Sequence, residues 1–374
     1  MTMRKNLGKA RLIVVKIGTS TLTTPEGRVD HANLNRLAGE IAALYNEGRK
    51  IILVSSGAIA MGAERLDRVG KLKSIPEKQA AAAVGQGLLM KEYEAAFSRF
   101  KIPVAQLLLT RDAMENRERY INARTALETL VDMGTLPIIN ENDTVAVEEI
   151  KVGDNDNLAA LVASLIGADL LVLLTDIDGF HLNPEDSEEP LSEIDEITSE
   201  IRSAAAGSGS ALGTGGMVTK LEAAELCMAA GIAVVIGSGR RPGTLEAILK
   251  GEETGTLFVP ALTKREAQKR WLAHGMRPKG KIVVDAGAAK AIREKGSSLL
   301  AVGVKEVKGR FERGDLVSLL KESGKEIARG LVNYGSSDIA EIKGARTADI
   351  EKRLGYKYAD EIIHRDELAV LESE

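Results

Sequence analysis

The sequence predicts an α/β protein: an open, mainly parallel sheet with helices on both faces, followed by a small, mostly β domain. In the first two-thirds of the 374 residues, short β-rich runs alternate with helical patterns, which is typical of such a sheet. The composition changes near Pro260, and from Lys281 onward short strands are separated by glycine-containing turns. We therefore expect a first domain over 1–260, a linker over 261–280, and a second domain with a C-terminal tail over 281–374.

Each strand of the first domain is predicted from a short run rich in Val, Ile and Leu. These runs are Leu12–Val15, Lys50–Val54, Val104–Leu109, Pro137–Ile139, Leu170–Leu174 and Ala233–Ile236. Between them, apolar residues recur at helical spacing and predict the helices that connect parallel strands. These helical patterns cover Asn33–Asn46, Gly57–Arg65, Glu77–Phe97, Asn122–Asp132, Leu158–Ile166 and Met217–Ala230. In the second domain, strands are predicted at Ile282–Val284, Ser298–Val302, Asp315–Leu320 and Glu326–Leu331.

Composition argues against several classes of protein. The formal net charge is −4 and the basic residues are dispersed, so the chain lacks the electrostatic footprint of a nucleic-acid-binding protein. Cys227 is the one cysteine, which excludes an intrachain disulfide and a multi-cysteine metal site. The N-terminal apolar run Leu12–Val15 is too short for a signal peptide, and Asp169 interrupts the longest apolar stretch. We therefore expect a cytoplasmic protein without a membrane span.

A glycine-rich loop runs directly into a predicted helix at Gly213–Lys220. Glycines let backbone N–H groups approach an anion closely, and a helix N-terminus adds a partial positive charge. Lys220, one turn inside the helix, supplies a full charge. The loop is therefore interpreted as a phosphate-binding site, although it lacks the Gly-Lys-Ser/Thr of a Walker-A motif. The alternative is a flexible loop that caps an ordinary helix.

Polar residues follow five of the predicted strands. The segments are Lys16–Ser20, Ser55–Ala58, Asn140–Asp143, Thr175–Gly179 and Gly237–Gly239. Ligands of open parallel sheets bind beyond the carboxyl ends of the strands, so five such junctions indicate one shared polar site. Each has an ordinary alternative: Lys16 as a solvated strand-end lysine, Ser56 as a helix N-cap, and Thr175–Gly179 as a turn.

The densest polar segment is Lys151–Asn157, which carries Asp154, Asn155 and Asp156. An EF-hand is rejected because Leu158 and Ala159 occupy positions where a ligand and a glycine are needed. Asn157 could cap the following helix, but the cluster is larger than capping needs. Together with Asn140–Asp143 it indicates a site for a zwitterion, with carboxylates binding the ammonium and amides and N–H groups binding the carboxylate.

Taken together, six of these segments resemble the amino acid kinase family. They are Val14–Ser20, Ser55–Ile59, Ile139–Asp143, Lys151–Asp156, Leu174–Asp176 and Gly213–Met217. Their order and spacing over roughly residues 10–260 make the resemblance specific. The segment from about Lys281 to Ala359 is similar to a PUA domain, a module associated with RNA modification. The resemblance implies an amino acid kinase fold followed by a PUA domain.

The resemblance further implies ATP-dependent phosphorylation of the γ-carboxylate of L-glutamate, the first step of proline biosynthesis, with Mg²⁺ required. It assigns catalytic roles to Lys16, Lys220 and Asp156, the two lysines stabilising the transferred phosphoryl group and the aspartate orienting them. Glutamate binding is assigned to Ser56, Gly57, Asn140, Asp143, Asp154 and Asn155. ATP binding is assigned to Thr175, Asp176, Thr214, Gly215, Gly216 and Met217, with both lysines. No protein residue is assigned to a metal.

Partners also follow from the resemblance: L-glutamate as substrate, proline as a feedback inhibitor, and a homodimer or homotetramer. The sequence leaves open whether the labile product is handed directly to the next enzyme. Rival substrates within the family are acetylglutamate, aspartate, carbamate and UMP. RNA binding by the second domain is the alternative from another class. From Met276 onward the chain has 19 Lys and Arg against 17 Asp and Glu, a net charge of +2 that disfavours RNA binding.

Overall fold

The computed structural model describes residues 3–110, 116–145, 155–183, 189–207, 216–270, 272–273 and 277–371. The chain divides into two compact units, Met1–Thr263 and Lys264–Glu374, and each unit has a sheet of its own. The boundary lies three residues beyond the predicted end of the first domain, and helix Lys264–Arg270 falls in the second unit. No helix among the described residues has the length and apolar character to cross a membrane.

The first unit contains an eight-stranded sheet in the order β3-β4-β2-β1-β5-β7-β8-β6. Its strands are β1 Leu12–Ile17, β2 Lys50–Ser55, β3 Val104–Leu109, β4 Leu136–Glu141, β5 Leu170–Thr175, β6 Glu193–Ile194, β7 Ala233–Ser238 and β8 Thr256–Phe258. The pairs from β3 to β7 are parallel, and β7 with β8 is antiparallel. All six predicted strands are present. The sequence missed β6 and β8, because two or three residues are too few to show a pattern.

Helices cover both faces of this sheet. They are α1 Met3–Asn6, α2 Thr19–Leu22, α3 His31–Asn46, α4 Ala58–Arg65, α5 Ile75–Ser98, α6 Arg117–Asp132, α7 Asn155–Ile166, α8 Ser199–Gly207, α9 Met217–Ala229 and α10 Thr244–Lys250. Caps fix several starts: Asp30 accepts from the N–H of Asn33, and Ser74 forms a capping box with Glu77. The predicted helices are present, with ends that differ by at most five residues.

Alternate residues of the buried strands supply two separate cores. Ile13, Val15 and Ile17 of β1 lie on one face and pack with residues of α3 and α5. Val14 lies on the other face and packs with residues of α7 and α9. This alternation follows from the two-residue period of a strand. Lys16 has the same parity as Val14, so its side chain extends on the α7 side of the sheet.

Helices α4 and α5 approach so closely that only glycine fits at two positions. A Cβ atom on Gly62 would lie 1.8 Å from the carbonyl oxygen of Ala81, and one on Gly85 would lie 1.8 Å from that of Ala58. Backbone atoms cannot move away as a flexible side chain can. The contact therefore fixes α5 against the start of α4, next to the polar segment Ser55–Ala58.

We expect Gly85→Ala to destabilise the first unit by at least about 2 kcal/mol, because the added methyl group must push two helices apart. The matched control is Gly87→Ala on the same helix, where a Cβ atom would come within 4 Å of no atom in the part of the chain that the structure describes. That change should stabilise the fold by up to about 1 kcal/mol through helix propensity. Urea unfolding midpoints of both variants test the contact, and equal midpoints would contradict it.

The second unit has a five-stranded sheet in the order β10-β9-β11-β12-β13. The strands are β9 Gly280–Val284, β10 Val304–Lys308, β11 Leu316–Lys321, β12 Glu326–Leu331 and β13 Leu368–Val370, and the helices are α11 Lys264–Arg270, α12 Ala286–Lys295, α13 Ser336–Ile342 and α14 Ile350–Leu354. The strand predicted at Ser298–Val302 is wrong. Ala301–Gly303 forms a 3₁₀ turn closed by the N–H of Gly303 donating to Leu300, and β10 begins only at Val304.

Candidate active site

Three neighbouring strands bring the polar segments together. β1 lies between β2 and β5, and Ile17 pairs with Ser55 on one side and Leu174 on the other. Because the three strands are parallel, the residues that follow them emerge at the same edge of the sheet. Lys16, Ser56 and Thr175 therefore lie at one edge of the sheet, where the sequence predicts a shared polar site.

The centre of the site is a buried carboxylate between two lysines. The Nζ atom of Lys16 lies 2.7 Å from Oδ1 of Asp156, and that of Lys220 lies 3.2 Å from Oδ2. Lys16 is 6% exposed and Lys220 is 7% exposed, so the reading of Lys16 as a solvated lysine is wrong. Asp156 reaches the pair from the first turn of α7, and Lys220 comes from the first turn of α9. The single carboxylate of Asp156 thus holds two positively charged lysines side by side and neutralises one of the two charges.

The lysines determine the ionisation of the carboxylate. Burial by itself would raise the pKa of Asp156, but Lys16, Lys220 and a hydrogen bond from Thr219 outweigh it and lower the pKa to about 2. Thr219 Oγ1 donates to Oδ2 of Asp156 at 2.9 Å. Asp156 is therefore ionised at every physiological pH, and the two lysines keep a fixed geometry.

The space beside the lysines is lined by glycine. Gly216 precedes α9 as its N-cap residue, and a Cβ atom there would meet no atom of the described residues within 4 Å. A Cβ atom on Gly18 would lie 3.5 Å from Nζ of Lys16. Both glycines thus leave an anion free to approach the lysines. Thr214 and Gly215, which the sequence assigns to ATP, lie outside the described residues.

The end of β5 provides a second polar group. Thr175 is buried, and its hydroxyl donates to Oδ1 of Asp176 at 2.9 Å; Ser20 donates to the same atom at 3.0 Å. Burial would raise the pKa of Asp176, but these hydrogen bonds lower it overall. Met217, the first residue of α9, is also buried. The residues predicted to bind ATP that the structure describes thus lie at the ends of β1 and β5 and the start of α9.

The amide residues form a hydrogen-bonded chain on the other side of Asp156. Asn155 Nδ2 donates to Ser56 Oγ and to Asn140 Oδ1, both at 2.9 Å, and Asn140 Nδ2 donates to Gln86 Oε1 at 2.8 Å. Oδ1 of Asn155 is buried and has no hydrogen-bond partner within the described part of the chain. Because Asn155 and Asp156 are consecutive in α7, one helix start joins the amide chain to the lysine pair.

The structure also rejects two capping alternatives. The N-cap residue of α4 is Gly57, whose φ of +106° favours glycine, so Ser56 is free of that role. Helix α7 begins at Asn155, and Asn157 Nδ2 donates to Oε2 of Glu222 on α9 at 2.9 Å. Asn157 therefore links the two helices that carry Asp156 and Lys220.

Asp143 lies just beyond β4 in a buried position. It is 7% exposed, and burial raises the pKa of its carboxyl to about 6. It lines a cavity of about 350 Å³ together with Gln86 and Glu141. A carboxylate in this environment gains by meeting a cation. Asp154, the other carboxylate predicted to bind substrate, lies outside the described residues.

Sequence reasoning missed several residues of the site. Gln86 and Tyr93 lie within α5, where the pattern at Glu77–Phe97 predicted a helix but no site residue. Tyr93 shares a 2.7 Å hydrogen bond with Ser55 beneath the site, and burial raises its pKa. Ser20 belongs to the segment Lys16–Ser20, and Thr219 belongs to Gly213–Lys220. Their hydroxyl groups, within these polar segments, could have identified them as site residues. No such signal marks Gln86.

Comparison with known proteins identifies the family of this chain. Residues 11–238 match the amino acid kinase family, and residues 280–354 match the PUA domain. A glutamate 5-kinase of Moorella thermoacetica is 52% identical over 98% of both chains. One from Trichlorobacter lovleyi is 48% identical over 99% of both chains, and one from Geobacter sulfurreducens is 49% identical over 98% of this chain and 99% of that protein. This chain therefore belongs to the amino acid kinase family, among its glutamate 5-kinases, and carries a PUA domain after the kinase region.

Proposed function

We propose that this chain transfers the γ-phosphoryl group of ATP to the γ-carboxylate of L-glutamate, which gives γ-glutamyl phosphate and starts proline biosynthesis. The kinase family implies ATP, and the names of the relatives supply the acceptor. The observation that carries the proposal is the buried pair of lysines held on Asp156 next to a chain of amides. Residues 1–260 would carry the reaction.

The chemistry needs positive charge more than it needs a base. A side-chain carboxyl with a pKa of about 4.3 is already ionised at neutral pH, so its oxygen can attack the γ-phosphorus directly. A phosphorus–oxygen bond forms as the bond to the β-phosphate oxygen breaks, and ADP leaves. The obstacle is repulsion between two anions. Lys16 and Lys220 offset it and stabilise the charge on the transferring phosphoryl oxygens.

Recognition of the amino acid follows from the donors and acceptors left over. Asn155 offers Oδ1, an acceptor, and Asp143 offers a carboxylate, so both would bind the α-ammonium. The hydroxyl of Ser56 accepts from Asn155 and keeps its hydrogen for a substrate carboxylate, beside Gly57. From the sequence, we expected amide side chains to bind the substrate carboxylate. For Asn155 the geometry supports binding of the substrate ammonium instead, because its side-chain N–H groups donate to Ser56 and Asn140.

Mg²⁺ would enter with the nucleotide. No cluster of three or more His, Cys, Asp or Glu side chains suited to a metal occurs among the described residues, and both carboxylate oxygens of Asp156 face lysines. This donor set suits an ion held chiefly by phosphate oxygens and water, as is common for Mg²⁺ in kinases. When bound, the ion neutralises phosphate charge. Thr175, Asp176, Gly216 and Met217 would hold the nucleotide itself.

Trapping with hydroxylamine tests the function. The full-length protein is incubated with ATP, Mg²⁺ and L-glutamate, and the acyl phosphate is captured as a coloured hydroxamate. Parallel tubes contain aspartate or N-acetylglutamate in place of glutamate, or glutamate with proline. Hydroxamate formed from glutamate, and not from aspartate or N-acetylglutamate, supports the proposal. Signal only with another acid keeps the mechanism and overturns the substrate, and no signal in any tube rejects the kinase activity.

Asp143 should make kcat/KM for glutamate decrease in acid. Its pKa of about 6 means that the carboxyl loses its charge below that pH and then binds ammonium poorly. We expect kcat/KM for glutamate to fall as pH decreases through about 6, because kcat/KM reports groups of the free enzyme. The pH profile of hydroxamate formation measures this. A profile that is flat between pH 5 and 7 would remove Asp143 from ammonium binding.

The matched variant is Asp143→Asn, which should flatten the acid limb and lower kcat/KM at pH 7. Stability should change in the opposite direction. The folded-state pKa lies above the unfolded value of about 3.8, so the ionised carboxyl is disfavoured in the fold and stability decreases as pH rises through that window. Asp143→Asn should therefore unfold at higher urea concentration at pH 7, so that lost activity cannot be ascribed to unfolding.

Further expectations remain proposals. Proline would inhibit by competing at the glutamate site, and the protein would work in the cytoplasm, where ATP is available, as a homodimer or homotetramer. We also propose direct hand-over of the product to the next enzyme, because an acyl phosphate is labile, as its capture by hydroxylamine exploits. For the PUA domain we propose a structural or regulatory role over RNA binding, given its net charge of +2 from Met276 onward. Salt-dependent retention of RNA in a filter assay would favour RNA binding instead.

A further inference from the structure

We propose that Gln86 is a positioning residue of the glutamate site, and that it fixes how the amides of Asn140 and Asn155 face the substrate. This inference rests on the proposed function, since it concerns how glutamate is bound. Gln86 lies in the middle of α5, far in sequence from both asparagines. Its side chain contacts Asn140 through a 2.8 Å hydrogen bond and lines the cavity beside Asp143.

One backbone group determines the orientation of the whole amide chain. The N–H of Glu141 lies 2.9 Å from Oδ1 of Asn140. A backbone N–H can only donate, so the side-chain atom that it meets must be the oxygen of Asn140. The nitrogen of Asn140 therefore faces Gln86, where it needs an acceptor, and Oε1 of Gln86 is that acceptor.

The same reasoning extends to Asn155. Oδ1 of Asn140 also meets a terminal atom of Asn155 at 2.9 Å, and this atom must be nitrogen because an oxygen would have no hydrogen to donate. That nitrogen also donates to Ser56 Oγ. The oxygen of Asn155 is left buried, with no hydrogen-bond partner among the residues that the structure describes. A buried acceptor in this state favours a ligand that brings an N–H group, and the α-ammonium of glutamate does so.

Gln86 is needed because two contacts, on opposite sides, hold Asn140. The N–H of Glu141 binds its oxygen and Gln86 binds its nitrogen. Without the acceptor of Gln86, the nitrogen of Asn140 is buried beside an apolar side chain and loses its hydrogen bond. The N–H of Glu141 still selects the orientation of the amide, but Asn140 is then held on one side only, and Asn155 has a less firmly held partner to direct its oxygen toward the substrate.

Two substitutions separate this role from packing. Gln86→Met removes the acceptor at nearly the same side-chain length, and Gln86→Glu keeps an acceptor. We expect Gln86→Met to raise KM for glutamate about tenfold, the cost of about one hydrogen bond, with kcat and KM for ATP within about twofold of the parent. Gln86→Glu should stay much closer to the parent value. Lys91→Met, at an exposed position of the same helix, is the control and should leave all constants within about twofold.

The decisive measurement compares glutamate with glutarate, which lacks the α-ammonium. The inhibition constant of glutarate should be the same in the parent enzyme and in Gln86→Met, because the affected acceptor meets only the ammonium. An unchanged KM for glutamate, equal losses in Gln86→Met and Gln86→Glu, or a parallel rise for glutarate would each overturn the proposal. Failure of the parent enzyme to form a hydroxamate from glutamate would instead reject the proposed function, before any variant is compared.

Discussion

Replacing Lys220 with alanine is expected to lower kcat by about 10² to 10³-fold, the range for removing one preorganised electrostatic contact to a transition state. KM for glutamate should stay within about twofold, because Lys220 lies on the Asp156 side of the site and not in the amide chain. In the proposed reaction, the charge that Lys220 would stabilise develops on the phosphoryl group, so its loss should affect turnover more than substrate binding. Steady-state hydroxamate formation with both substrates varied measures the two constants.

Two further variants make the result specific. Lys220→Arg keeps the charge but replaces a compact ammonium by a planar guanidinium, so it should also turn over slowly in a site where the lysine is 7% exposed. Lys250→Ala removes an exposed lysine that pairs with Glu246 and should behave as the parent enzyme. Near-normal turnover of Lys220→Ala would show that this lysine has no part in phosphoryl transfer.

The second large effect is expected from Asp156→Asn, on stability as well as on rate. The amide cannot neutralise Lys16 and Lys220, which are both buried, and removing one partner of a buried ion pair costs about 3–5 kcal/mol. Turnover should fall together with stability, because the two lysines lose the carboxylate that fixes their positions. Urea unfolding at pH 7 and steady-state kinetics test the two parts. The control is Asp132→Asn at an exposed pair with Lys50, which should cost less than about 1 kcal/mol.

The stability part has a pH signature. The pKa of Asp156 is lowered in the fold to about 2 from an ordinary value of 3.8, so its ionised form stabilises the folded state. This contribution is fully present above about pH 4 and is lost as pH falls through 2. The difference in unfolding free energy between the parent and Asp156→Asn should therefore be constant near neutral pH and shrink in acid. A difference that is independent of pH down to about 2 would rule out the ion pair as its source.

Much of the candidate site could be predicted because the local sequence shows where each strand ends and which polar residues follow it. The runs that form β1, β2 and β5 are apolar enough to require burial, and parallel strands must place Lys16, Ser56 and Thr175 at one edge. Glycine at position 216 and Lys220 indicated an anion site because backbone access and charge are local properties. Alternating strands and helices likewise determined the fold class, since a buried parallel sheet needs helices on both faces.

Other features depend on side chains that meet only after folding. Gln86 comes within 2.8 Å of Asn140 because Gly62 and Gly85 let α4 and α5 approach closely, and nothing in the local pattern of α5 indicates that contact. The raised pKa of Asp143 depends on how much protein surrounds its carboxyl. The orientation of the Asn155 amide depends, through Asn140, on the backbone N–H of Glu141 in β4. The sequence by itself thus determined the fold class and the chemistry available at the strand ends, while the tertiary structure decided ionisation and amide orientation, because long-range packing sets both.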